Sequence, residues 1–368
     1  MPTPHDIITE ISERLEKFVD ARAAELRADP VFAANGGADP VADLVVRHAR
    51  DAVRGGKRLR ARFAYWGWRA ATRDAGDPPA NVADLGAALE VFQAAALVHD
   101  DIVDNSDTRR GRPSSWRALE GAHRDAGWSG DAEAFGRAGA VLLGDLLLGW
   151  SDDLFEQALA DAPSAALARD LYARMRRDVT LGQFLDVAEE AAWPTTPDAE
   201  HADRAIRIAV LKSARYSVQQ PMLLGAALGG AEAAVSDALA RVGHPLGLAF
   251  QLRDDVLGAF GDPAVTGKPA GDDLREGKRT MLVAYAREGM DRDARADFDA
   301  RLGASDLSPG EIAAMQETVR ASGALDRVER MIADNAEAAN AAIEAAAFDA
   351  ATDEELRALV TATTVRSA

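Results

Sequence analysis

The 368-residue chain has no cysteine, which rules out disulfides, thiolate nucleophiles and cysteine metal sites. Lysine is nearly missing as well: among 42 basic residues only Lys17, Lys57, Lys212, Lys268 and Lys278 are lysines. A net basic surface is also lacking. The formal net charge of -18 excludes an ordinary nucleic-acid binder, which needs a basic face or stripe to meet the phosphate backbone. No basic start leads into an uninterrupted apolar segment at the N-terminus, so no signal peptide is expected. The richest apolar stretch, AGAVLLGDLLLGW, is interrupted by Asp145 and falls short of the roughly 20 apolar residues that cross a bilayer. A cytoplasmic protein without a membrane span is the expectation. Period-two alternation is almost absent too, which argues against a sheet.

What is present is helical. Apolar positions recur every three and four residues from Ile7 to about Val360, within alanine-rich segments, and 48% of residues are hydrophobic. The pattern predicts an all-α fold. Breakers punctuate it at Gly36-Gly37, Gly55-Gly56, Asp77-Pro78-Pro79, Gly127 to Gly130, Pro194 to Pro197, Gly229-Gly230, Gly261 to Gly271 and Ser308-Pro309-Gly310. No internal repeat or low-complexity linker separates a second domain. Two stretches, Ala83 to Asp107 and Asp198 to Gly229, are apolar on more than one face and are predicted to run through the centre of a bundle.

Acidic residues cluster at the ends of two apolar helices. In Asp100-Asp101-Ile102-Val103-Asp104, residues 100 and 104 lie four apart and share a face, with Asp101 beside them. A group of carboxylates against an apolar wall is costly unless a cation neutralises it, or unless the helix end is simply solvated. Magnesium suits such oxygen ligands, binding through one or two carboxylates together with substrate phosphates. Asp254-Asp255 repeats the arrangement after Phe250-Gln251-Leu252-Arg253. Basic residues accompany both motifs. Gly55-Gly56-Lys57-Arg58-Leu59-Arg60 presents Lys57 and Arg60 after a flexible diglycine, and Arg109-Arg110 follow the first acidic motif. Surface pairing between acids and arginines is worth little, whereas a guanidinium beside a diphosphate binds its oxygens bidentately.

GGKRLR, QAAALVHDDIVDNSDTRRGRP, GQFLD, LKSARYS and FQLRDDVLGAFGDPAVTGKPAGDDLREGK, in that order between about Gly55 and Thr280, resemble the trans-isoprenyl diphosphate synthase family, also called polyprenyl synthetases. The resemblance implies a single large helical bundle of the isoprenoid synthase fold around a central apolar cavity. It places an N-terminal helical extension at residues 1–40 and the synthase domain at 41–368. It implies that Asp100, Asp101, Asp104, Asp254 and Asp255 bind Mg2+, three ions in all, which grip an allylic diphosphate. Lys57, Arg60, Gln93 and Arg110 match positions that hold isopentenyl diphosphate. Arg109, Lys212 and Lys268 match ligands of the allylic diphosphate, and Lys278 a further basic position nearby. Ser213 and Gln251 match residues whose side-chain oxygens face the developing carbocation, so Lys212, Ser213 and Gln251 form the catalytic set. Gln183 and Asp186 of GQFLD match a motif lining the same cavity, with Asp186 behind the metals. Tyr216 reads as core. A homodimer is implied as well.

Two features bear on the chemistry. The family's second acidic motif usually has a third aspartate where this chain has Gly258, and Asp262 is a poor substitute, lying about 12 Å further along a helix. Ahead of the first motif, Ala95 and Ala96 are small where farnesyl-stopping relatives commonly place an aromatic ring. Phe92 stands one turn further, about 5.4 Å deeper, which favours geranylgeranyl diphosphate over farnesyl or longer products. A terpene cyclase would not need Lys57, Arg60 and Arg110. A non-catalytic synthase subunit would be expected to have lost more of its aspartates.

Overall fold

A computed structural model describes residues 4–32, 39–73, 78–262, 271–304 and 306–364. The described chain is helical as predicted. Contacts divide it into two compact units, Met1–Tyr65 with Asp74–Ala165, and Trp66–Arg73 with Ala166–Ala368.

The first unit holds α1 (Pro4–Ala28), α2 (Pro40–Val53), the start of α3 (Leu59–Thr72), α4 (Ala80–Val103), α5 (Ser115–Asp125) and α6 (Ala132–Ala158). Helix α4 is its axis, packing most extensively on α6 and also on α1, α2 and α5. Residues Val82 to Val98 are almost continuously buried, as a helix apolar on every face requires. By length and composition α4 is apolar enough to cross a membrane, more so than the stretch broken by Asp145, but 78% of that apolar window is buried in the fold. The expected N-terminal extension contributes α1, whose Ile7, Ile11, Leu15 and Phe18 are buried. At about 1.5–3 kcal/mol for each such side chain, α1 is part of this core. Side chains start the helices cleanly: Asp39 caps the N-terminus of α2 by accepting from the N–H groups of Val41 and Ala42, and Asp131 caps that of α6 in the same way.

The departure from helix is small. Thr108–Arg109 pairs antiparallel with Arg112–Pro113 across a turn in which Arg110 (φ 53°) and Gly111 (φ 71°) are both left-handed. Two consecutive positive φ values define the tight hairpin turn that glycine favours, and it tips the arginine-rich segment into a ribbon.

The second unit runs through α7 (Ala165–Ala192), α8 (His201–Ile208), a π-helix (Ala209–Gln219), α9 (Gln220–Leu228) and α10 (Ala233–Phe260). It continues with α11 (Asp272–Glu276), α12 (Met281–Glu288), α13 (Arg292–Arg301), α14 (Pro309–Ala321), α15 (Ala324–Ala346) and α16 (Ala350–Thr364). Helix α10 is central, packed on α15 and on the π-helix, with Leu252 and Val256 in a core shared with Val283, Ile312 and Val328. The predicted central stretch Asp198 to Gly229 is therefore not one helix. It widens to a π-helix where Gly182 and Gly247 let two neighbours press on its backbone: a Cβ at either glycine would overlap Lys212 or Ala214. At Ser308 the Pro-Gly breaker begins a helix through a reciprocal capping box with Glu311.

Candidate active site

Helix α4 delivers the first acidic motif to its own C-terminal end, where the helix dipole disfavours each anion by roughly 0.3–1 kcal/mol. Compensation comes from two arginines. Arg109 Nε donates to Asp101 Oδ1 at 2.8 Å, and its Nη2 also lies 3.7 Å from Asp100 Oδ2. Arg137 of α6 donates to the Ile102 carbonyl at 3.4 Å and to Asn105 Oδ1 at 2.8 Å, with its guanidinium 4.3 Å from the Trp116 ring. The Trp116 indole N–H donates in turn to Ser106 O at 2.9 Å, which pins the turn that follows Asp104.

The three aspartates thereby differ in their surroundings. Asp101 is 2% exposed and accepts from Arg109. Asp100 and Asp104 are half-buried, and one carboxylate atom of each, Oδ1 of Asp100 and Oδ2 of Asp104, is buried and accepts no hydrogen bond. Hard oxygen atoms of that kind one helical turn apart fit a divalent cation such as magnesium. Among the described residues no group of three His, Cys, Asp or Glu side chains could hold a metal alone, so an ion here needs water or substrate oxygens to complete its shell.

In the same unit the diglycine loop and the hairpin meet. Arg110 Nη1 donates to the Arg54 carbonyl at 2.7 Å, and a Cβ at Gly56 would come within 2.9 Å of Arg110 Nη2. Gly56 also has φ +96°, a backbone conformation that favours glycine there. Beyond it, Lys57 is exposed, and Arg60 is half-buried at the start of α3. Arg58, to which the motif assigned no role, anchors the loop: it is buried with φ 50°, donates to the Val53 carbonyl at 2.9 Å and pairs with buried Glu90 at 3.5 Å. Burial of its guanidinium, and next the neighbouring Arg58 charge, push Arg110 below its ordinary value. Arg109 and Arg110 border a cavity of about 170 Å³ whose wall also includes His48, Asp51 and Leu97. On α4, Gln93 is half-buried two turns before Asp100, Ala96 is half-buried, and Phe92 and Ala95 are buried.

The second unit also pairs an exposed with a buried aspartate. On α10, Asp254 is exposed, whereas Asp255 is 7% exposed and accepts from Gln251 Nε2 at 2.6 Å. Burial raises the Asp255 carboxyl well above the usual carboxylate range, and the charges of Asp273 and Asp254 push it further. Gln251, expected to face a carbocation, thus spends its amide N–H on Asp255. Arg253 points away from the acid pair, bound bidentately to Glu329 at 2.7 Å and to the Thr364 carbonyl at 2.8 Å, which ties α10 to α15 and α16.

On the π-helix, Lys212 Nζ meets Asp186 Oδ2 of α7 at 2.6 Å, so the second residue expected behind the metals pairs directly with an expected diphosphate ligand. Gln183 lies one turn earlier, with a buried Nε2 that donates no hydrogen bond, Ser213 is half-buried, and Tyr216 is buried. Lys278 Nζ sits 2.7 Å from Glu276 and 3.6 Å from Asp273. Lys268 lies outside the described residues. The residue that sequence reasoning missed is Asp273. It stood within GKPAGDDLREGK without an assigned role, and no signal in the local pattern places it against α10.

Residues 43–319 match the model of the family described as polyprenyl synthetase. The chain is 35% identical over 231 residues to a geranylgeranyl diphosphate synthase of Mycobacterium tuberculosis, covering 63% of this chain and 58% of the relative. To a (2E,6E)-farnesyl diphosphate synthase of Mycobacterium bovis it is 31% identical over 256 residues, covering 69% of this chain and 65% of the relative. The chain therefore spans less than two thirds of the length of these two curated relatives. A geranylgeranyl pyrophosphate synthase from Corynebacterium glutamicum, solved in complex with isoprenyl diphosphate and magnesium, superposes with a TM-score of 0.88 at 38% identity, covering 97% of this chain and 98% of that one.

Proposed function

This chain belongs to the polyprenyl synthetase family, and from that membership we propose that it is a trans-prenyltransferase joining isopentenyl diphosphate to an allylic diphosphate, with geranylgeranyl diphosphate as its main product. The observation that carries the reading is the end of α4, where Asp100 and Asp104 stand with the Arg109 guanidinium beside them and the Arg110–Gly56 contact holds the Lys57 loop in the same unit. Lys57, Arg60, Gln93 and Arg110 bind isopentenyl diphosphate in this scheme. Arg109, Lys212, Lys268 and Lys278 bind the allylic diphosphate. Magnesium, three ions in the family's pattern, would be held by Asp100, Asp101, Asp104, Asp254 and Asp255, and would offset charge on the departing diphosphate. Arg109 is held by Asp101 and Lys212 by Asp186, so each side chain is ordered within its own unit. The Gln251 oxygen and Ser213 hydroxyl face the allylic cation, and apolar alanine and leucine walls keep water from it. No His or Cys nucleophile is required, and the released diphosphate takes the final proton.

A terpene cyclase would release diphosphate from the allylic substrate alone. Following inorganic diphosphate release therefore separates the readings: a synthase releases it only when isopentenyl diphosphate is also present. Release from the allylic substrate alone would contradict the proposal, and no release under either condition would favour a non-catalytic subunit.

We also place the protein in the cytoplasm, without a membrane span, as a homodimer. The α7 side chains Leu181, Phe184 and Val187 are 50%, 70% and 44% exposed and fall on one helical stripe. In the other unit, Leu142 of α6 is 69% exposed. Apolar surface of this kind suits a second copy of the chain. Light scattering at working concentration should give twice the 39.0 kDa chain mass; a monomer would refute the dimer.

A further inference from the structure

Helix α3 starts without a cap of its own. The residues ahead of it, Gly55-Gly56-Lys57-Arg58, include no Ser, Thr, Asp or Asn to accept from its first N–H groups. The Arg62 N–H reaches back to the Arg58 carbonyl at 3.0 Å. One residue earlier, the Ala61 N–H donates to Glu90 Oε1 of α4 at 3.3 Å. A carboxylate from a neighbouring helix thus takes the place of an N-cap, where the helix dipole favours an anion.

The same carboxylate holds the loop. Arg58 Nη1 lies 3.5 Å from Glu90 Oε2 and Arg58 Nη2 donates to the Val53 carbonyl at 2.9 Å, so a left-handed arginine is fastened to both α2 and α4. Arg58 is 8% exposed and Glu90 5%, and a buried pair of this kind is costly to break from one side because the other charge is stranded. Lys57 and Arg60 each stand one residue before an anchored one, Arg58 and Ala61. Gln93 follows Glu90 by three residues on α4. The Glu90 charge also acts on Arg110, against the burial and the Arg58 charge that lower it. Glu90 thus acts on each residue assigned to isopentenyl diphosphate through a bond, a charge or the shared helix, while its own carboxylate is occupied inside the core.

Resting on the function proposed above, we propose that Glu90 is a positioning residue of the isopentenyl diphosphate site: it caps α3 from α4 and, through Arg58, fixes where Lys57 and Arg60 stand. It touches neither substrate, and the allylic diphosphate is bound by other residues. Its loss should weaken one substrate and spare the other.

The test is steady-state kinetics with each substrate varied in turn, alongside calorimetric titration of isopentenyl diphosphate and thermal melting. Glu90→Gln keeps an acceptor for Ala61 but removes the charge facing Arg58, and should raise KM for isopentenyl diphosphate. Glu90→Leu removes both contacts and should raise it roughly 10-fold or more, because a small displacement of binding groups is felt steeply. KM for the allylic diphosphate and kcat should stay within about twofold of wild type, as when binding is lost and the chemical step is not. Glu90→Leu should also melt lower, since it strands Arg58. Adding Arg58→Leu removes the stranded charge, so the double variant should recover most of the melting temperature and keep the raised KM, which separates positioning from stability. A double variant that melts like the wild type and binds isopentenyl diphosphate as tightly would overturn the inference, and so would equal rises in KM for both substrates. If either leucine variant fails to fold, Glu90→Gln decides, and an unchanged KM for isopentenyl diphosphate there would overturn it. Wild-type protein that binds isopentenyl diphosphate without turnover would count against the proposed reaction, and the titrations alone would then decide on Glu90; wild-type protein that binds none would overturn both.

Discussion

Asp100→Ala should abolish turnover while leaving the fold intact. The carboxylate stands at the C-terminal end of α4, one turn before Asp104, and its Oδ1 is buried without a hydrogen-bond donor. If it is a magnesium ligand, its loss removes metal stabilisation of about 4 kcal/mol from the transition state, roughly a thousandfold in kcat. Stability should move the other way. A carboxylate at a helix C-terminus opposes the dipole, so removing it should leave the melting temperature unchanged or slightly raised. Asp101→Ala should behave differently, because Asp101 is buried against Arg109 and its removal strands a guanidinium. Near-normal activity of Asp100→Ala with magnesium present would sink the metal assignment.

Chain length should respond to the face of α4 that precedes the motif. Ala96 is half-buried whereas Ala95 is completely buried, so a ring is tolerated at 96, while at 95 overpacking would cost about 1–3 kcal/mol. Ala96→Phe should therefore shorten the main product to farnesyl diphosphate. Phe92→Ala should lengthen it beyond geranylgeranyl diphosphate by removing the ring one turn deeper. Phe92 is 4% exposed, so that variant should also lose about 3–5 kcal/mol of stability, and its products are best sized well below its melting temperature. Unchanged product distributions in both variants would mean that this helix does not set the length.

The helices, the breakers between them and the pairing of Asp100 with Asp104 were legible in the sequence because they follow from periodicity and local steric preference. What periodicity cannot supply is the partner on another element. Nothing local distinguishes Asp101 from Asp100; the hairpin that carries Arg109 does, by closing on Asp101. Asp255 is distinguished from Asp254 by its burial and by Gln251. The π-helix has no compositional signature, since its widening is set by backbones pressing in at Gly182 and Gly247. The hairpin turn at Arg110-Gly111 left only one cue, the glycine. Gly258 was visible as a departure from the family's pattern. The neighbouring Asp273 carboxyl was not, because fifteen residues of chain separate the two and only the fold brings them together.

The most direct test is to incubate the purified wild-type protein with magnesium, isopentenyl diphosphate and, separately, dimethylallyl, geranyl and farnesyl diphosphates, and to size the prenyl products. The account predicts elongation of the allylic primers, with geranylgeranyl diphosphate as the main product and nothing formed when magnesium is chelated. Failure to extend any of the three primers would contradict it.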